Sequence, residues 1–134
     1  MILHGYFRSS ASYRVRIALN VKGLMARHIS HHLRKGEQRA ADYLLINAQG
    51  FVPTLITDAG SVLTQSMAIL EWLEETRPEP PLLPREPVAR AHVRAFAHAI
   101  ACDIHPVQNL KVIARVRQIA REEADAAWAK GVNE

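Results

Sequence analysis

Hydrophobic positions change their period several times along this chain, and each change marks an element. From Ile2 to Phe7, ILHGYF alternates loosely and predicts a short strand. Serines then crowd in at Ser9, Ser10 and Ser12, ahead of RVRIALNVKG, where Val15, Ala18 and Leu19 share one helical face. Hydroxyls before an amphipathic run are N-cap signals and Gly23 is a stop, so a helix is predicted between them. ARHISHHL predicts a second strand, and the stretch from Glu37 to Ile46 a helix ending at Asn47. FVPTLITD and SVLT are β-prone runs separated by Asp58, Ala59 and Gly60, a hairpin signal. QSMAILEWLEETRP predicts an amphipathic helix with Ile69, Leu70, Trp72 and Leu73 inward and Glu71, Glu74 and Glu75 on the polar face, stopping before Pro78.

The pattern then breaks. RPEPPLLPREP holds five prolines in eleven residues and reads as a linker. From Val88 the spacing is helical throughout: Val93, Phe96, Ala97, Ile100 and Ile104 recur to about Val112, and a further helical stretch runs toward Trp128. The order βαβα, ββα, linker, helices predicts a thioredoxin-like α/β domain over 1–78, a Pro-rich linker over 79–87, and the opening of an all-helical domain over 88–134.

Composition narrows the function classes. A chain of 134 residues, 49% hydrophobic, buries one substantial core and part of another. Cys102 is the only cysteine, which excludes an internal disulfide, a CxxC pair and a cysteine-based zinc cage; a buried helical position is expected for it. Net charge is +4, but the basic residues are dispersed among acids and no basic block of five occurs. That argues against nucleic acid and leaves a surface suited to a small anionic ligand. No 18-residue apolar run and no signal-peptide pattern occur, so no membrane span is expected and the location is read as cytoplasmic. Strand alternation would put His28 and His32 on one face, but no third ligand accompanies them, so no metal is expected.

Three short segments have chemical as well as structural readings. Ser9 and Ser10 stand where a helix N-terminus exposes unpaired N–H groups, a place that caps a helix or stabilises a thiolate. Pro53 in FVPTL marks a strand start, or a cis bond that turns the Val52 main chain outward to pair with a peptide; the sequence leaves the isomer open. Gln65 and Ser66 cap the following helix, or offer a second N-terminus to a carboxylate.

Together these segments resemble a family. SSASYRVRIAL resembles the SSCSxRVRIAL signature of the zeta-class glutathione transferases, the maleylacetoacetate and maleylpyruvate isomerases. NAQGFVPTL is similar to NPQGxVPxL, TQSMAILEWLEE to QSxAIxEYLEE, and ACDIHPVQNLKV to CDIHPLNNLRV, all in order between Ile2 and about Arg117. The resemblance implies glutathione as cofactor, a small anionic substrate and a homodimer. It implies that Ser9, with Ser10 beside it, assists the thiolate. It also implies that Gln38, Val52, Gln65 and Ser66 hold the tripeptide, and that His105, Gln108, Asn109 and Lys111 line the same cleft. Arg8 falls where a substrate carboxylate is met. The implied chemistry is reversible thiolate addition to a cis double bond, rotation and elimination, with glutathione as the nucleophile in place of a protein cysteine.

Three positions depart from the pattern: Ala11 replaces a cysteine, Ala48 a proline, and Lys111 an arginine, the last weakening a bidentate carboxylate clamp. Family members continue through several further helices, so 88–134 corresponds to the first of that domain only. A second reading follows, a non-catalytic glutathione-binding or interaction module on the same fold.

Overall fold

The computed structural model describes residues 1–120; the helical stretch expected toward Trp128 lies outside them. Two compact units divide the chain, Met1–Leu83 and Pro84–Glu134.

The first unit runs β1 (Ile2–Gly5), α1 (Ser10–Val21), β2 (Arg27–Ser30), two 3-10 turns (Leu33–Lys35 and Glu37–Arg39), α2 (Ala41–Ile46), β3 (Thr54–Ile56), β4 (Val62–Thr64) and α3 (Ser66–Thr76). The sheet order is β2-β1-β3-β4, with β1 and β2 parallel and the other two pairings antiparallel. This is the thioredoxin-like βαβα-ββα arrangement expected. Leu3 and Leu55 from the sheet meet Val15, Ala18 and Leu19 of α1 and Ile69 and Leu73 of α3 in one buried cluster. These are the residues whose spacing predicted the helices, because periodic burial is what that spacing encodes.

Two local expectations change. The helix expected from Glu37 to Ile46 is divided at Ala40, a 3-10 turn preceding α2, because the backbone of Ala40 is extended (φ −62°, ψ 144°). Glu74, expected on a polar face, is buried: its Oε2 lies 3.0 Å from Lys22 Nζ, and its carboxylate accepts the N–H groups of Leu82 and Leu83. The same Lys22 donates to the carbonyls of Arg77 and Pro80, so the Pro-rich segment is fastened to α1 and α3.

In the second unit α4 spans Pro87–His98, with Glu86 capping it through the N–H groups of Val88 and Ala89. A π-helical segment, Ala99–Ile104, follows, and α5 spans Leu110–Ala120. Cys102, expected to be buried, is exposed on the π segment. Among the described residues no helix is long and apolar enough to cross a membrane.

Candidate functional site

Sheet register gathers the first unit's predicted residues at one end. Gly5, the last residue of β1, pairs with Ser30, the last of β2; His4 pairs with Thr54, the first of β3; Thr54 pairs with Thr64, the last of β4. The chain therefore leaves β1 toward Ser9, enters β3 through Val52, and leaves β4 into Gln65 and Ser66 at the same end. Segments distant in sequence converge because antiparallel and parallel neighbours alternate around β1.

Ser9 is the N-cap of α1, its Oγ accepting the Ser12 N–H at 3.2 Å. The capping expectation is met, and capping uses only a lone pair; the hydroxyl hydrogen remains to donate. Ser10, the first helical residue, is exposed, as is Arg8. Beneath them Ser12 is fully buried under Gly5, where an added Cβ would stand 3.2 Å from the Ser12 Cβ.

At the start of α3 neither Gln65 nor Ser66 supplies a side-chain cap, contrary to the capping alternative. Instead Ser66 Oγ, 7% exposed, accepts from Arg14 Nη1 at 3.0 Å, leaving the Ser66 hydrogen to donate and a guanidinium charge behind it. Gln65 sits at φ 65°, ψ 115°, a region that side chains rarely adopt, and its Nε2 donates to Gln49 Oε1 at 3.1 Å. Strain of this kind is retained where the surroundings over-determine it, commonly at ligand clamps.

The Val52–Pro53 peptide is cis. Val52 is half-buried, and among the described residues its main-chain N–H and C=O take no hydrogen bond. An unpaired main-chain donor and acceptor on one residue is what a strand-like peptide pairs with. Gln38 lies in the second 3-10 turn, its Oε1 buried without a partner among the described residues. Gly50 at φ 62° holds this turn close, since a Cβ there would meet the Gln38 carbonyl at 3.1 Å.

The remaining predicted residues belong to the second unit. His105 follows the π segment, its N–H donating to the Ile100 carbonyl at 3.0 Å. Asn109 precedes α5, its Oδ1 accepting the Lys111 N–H at 2.9 Å and its carbonyl the Ile113 N–H at 3.0 Å, which caps that helix. Gln108 and Lys111 are exposed. His32, paired with His28 on one strand face by the alternation, lies beyond the end of β2. Among the described residues no group of three or more His, Cys, Asp or Glu side chains could hold a metal ion.

Sequence reasoning missed Arg14, Gln49, Tyr43 and Asn47. Arg14 stands in a run whose apolar members carry the pattern, and Asn47 where the pattern signals only a helix end. Tyr43 and Asn47 are two of the few buried polar-tipped side chains of their segment.

The chain belongs to the glutathione S-transferase family: the glutathione S-transferase N-terminal domain matches residues 8–76. Within that family it is 53% identical over 115 residues to the maleylacetoacetate isomerase of Rhizobium meliloti (strain 1021), covering 86% of this chain and 54% of that one. Its fold matches a solved maleylpyruvate isomerase described as a zeta-class bacterial glutathione S-transferase, with TM-score 0.89 and 42% identity over 96% of this chain and 61% of the other. It also matches a Methylobacterium extorquens AM1 maleylacetoacetate isomerase solved with malonate and glutathione, with TM-score 0.93 and 42% identity over 98% of this chain and 63% of that chain. The zeta-class resemblance of the four motifs is borne out. The chain spans just over half the length of the R. meliloti relative.

Proposed function

We propose that this chain holds glutathione at the gathered sheet end and serves glutathione-dependent cis–trans isomerisation of a maleyl keto acid, maleylacetoacetate or maleylpyruvate. The observation that carries the reading is the unpaired main chain of Val52 at the same sheet end as the Ser9 hydroxyl and the Gln65–Ser66 helix start. When bound, glutathione supplies a thiolate nucleophile able to add reversibly to a cis double bond. Val52 pairs with the tripeptide backbone, Gln65 and Ser66 take its γ-glutamyl carboxylate, and Gln38 fills its buried oxygen's hydrogen-bonding need. Ser9, with the α1 N-terminus and Ser10 beside it, donates to the sulfur and favours the ionised form.

The family pattern assigns ligand-binding roles to His105, Gln108, Asn109 and Lys111 in the second unit, and to Arg8 contact with a substrate carboxylate. The whole protein works as a homodimer in the cytoplasm, where glutathione is kept reduced. A second reading rests on the family match, which covers the N-terminal domain over residues 8–76: a glutathione-binding module without turnover. Incubating the chain with glutathione and maleylacetone separates the two. Glutathione-dependent conversion to the fumaryl isomer, lost in Ser9→Ala, supports the enzyme. Calorimetric binding of glutathione with no conversion supports the module, and no binding defeats both.

A further inference from the structure

Behind the Val52 bend lies a polar and aromatic cluster that the glutathione contacts do not use. His4, 4% exposed on β1, places Nδ1 2.8 Å from Nε2 of His31, just past β2. Their rings stack with centroids 5.1 Å apart and planes 19° apart. The Tyr43 ring of α2 rests on both, 4.1 Å from His31 and 5.5 Å from His4. Its hydroxyl donates to the Phe51 carbonyl at 2.5 Å and lies 2.9 Å from Thr54 Oγ1. Asn47 Nδ2 reaches the same two oxygens at 3.0 Å each. Phe51 and Thr54 flank Val52 and Pro53, so two side chains from one segment grip the bend on both sides.

We propose that His4 and His31, acting through Tyr43, are positioning residues for Val52, and that the grip on glutathione they provide loosens in acid. The proposal rests on the glutathione reading above. A neutral pair shares one bridging proton. The next proton enters at an outer ring nitrogen and charges a buried stack; a further one turns the bridging acceptor into a donor, setting N–H against N–H.

The groups facing the pair differ by element. Arg27 of β2 opposes a proton on His4, while Asp42 of α2 and Glu37 of the 3-10 turn favour one on His31. Burial is the largest influence on both: on His4 the His31 ring and Arg27 add to it, on His31 it outweighs Asp42 and Glu37, and both imidazoles titrate below their ordinary range. Burial also pushes the Tyr43 phenol up, so it stays a donor throughout. Because the site is read as ionising the glutathione thiol, S-methylglutathione is the probe: its sulfur has no proton to lose, and its carboxyls titrate below about pH 5 and its amine above about pH 7.

The test is a calorimetric titration of the full chain with S-methylglutathione across that range, binding of glutathione itself being measured at neutral pH and folding being checked by near-ultraviolet circular dichroism at each pH. Affinity is expected to fall about tenfold toward the acid end, the equivalent of one hydrogen bond. In the His4→Phe/His31→Phe double variant, which keeps rings for Tyr43 to rest on, the profile is expected to be flat. Tyr43→Phe, which keeps the stack and loses the grip, is expected to bind about tenfold more weakly at neutral pH with little further loss in acid. A flat wild-type profile, or the same acid loss in the double variant, overturns the proposal. If the double variant does not fold, Tyr43→Phe decides: wild-type affinity and an unchanged acid loss there overturn it. Absence of binding at every pH overturns the glutathione reading itself.

Discussion

Lys22 Nζ lies 3.0 Å from Glu74 Oε2, joining the end of α1 to α3 across 52 residues of sequence, and both side chains are buried. The ammonium's other partners, the Arg77 and Pro80 carbonyls, and the carboxylate's, the Leu82 and Leu83 N–H groups, leave no charge uncompensated. Removing one partner from such a pair exposes the other to the full cost of burial. Lys22→Met is expected to destabilise the chain by about 3–5 kcal/mol, measured by urea unfolding. Glu74→Gln, which keeps one acceptor oxygen, is expected to cost less. A Lys22→Met loss below about 1 kcal/mol contradicts this account.

Acid should weaken the first unit in two stages. His4 and His31 titrate in the folded chain below the ordinary imidazole value, so the unfolded state takes up protons first. Their contribution is complete above about pH 6.5 and declines as pH falls through that value toward the folded ones. For Glu74, burial presses upward, but the Leu82 N–H, Lys22 and the Leu83 N–H prevail and hold the carboxyl below its usual range. Its contribution is therefore present above the usual carboxylate range and disappears as pH drops through the depressed value. Urea midpoints recorded from neutral to acid pH should show the earlier decline removed in His4→Phe/His31→Phe and the later one removed in Glu74→Gln.

Ser9 combines a cap with a donor, and two substitutions separate them. Ser9→Ala should lose the bond to the Ser12 N–H and about 1 kcal/mol of stability, together with thiolate formation. Ser9→Asp keeps the cap but sets an anion beside the sulfur, so stability should hold while the thiolate absorbance of bound glutathione vanishes. Retained thiolate in both variants contradicts the role given to this hydroxyl.

Gln65 offers the opposite trade. At φ 65° its backbone is costly for any residue with a Cβ, and Gln65→Gly should raise stability by about 1 kcal/mol. The same change removes a proposed γ-glutamyl contact, so glutathione affinity should fall while the unfolding midpoint rises. Parallel movement of both quantities contradicts the assignment of strain to function.

What the chain displays in one dimension is what periodic burial and local capping produce. Val15, Ala18 and Leu19, or Ile69 and Leu73, are legible because each helix must bury one face, and Ser9 because hydroxyl residues stand just ahead of that apolar spacing. Contacts set by the sheet register are not. Nothing near Glu74 announces a lysine 52 residues away, and nothing near His4 announces His31. The break at Ala40 was equally hidden, since the apolar spacing of 37–46 does not distinguish a 3-10 turn followed by α2 from one longer helix. The resemblance to the zeta-class motifs supplies the candidate site residues; the sheet register explains why Ser9, Val52, Gln65 and Ser66 come to one end, and the structure adds Arg14 and Tyr43.

The two border strands of the sheet are short, four residues in β2 and three in β4, and β2 presents Arg27 and His28 to solvent. An arriving β-segment would find few rungs to complete and, along one rim, cationic and titratable side chains. Edge-to-edge growth is disfavoured on both sides. Association between copies is thereby left to side-chain surfaces.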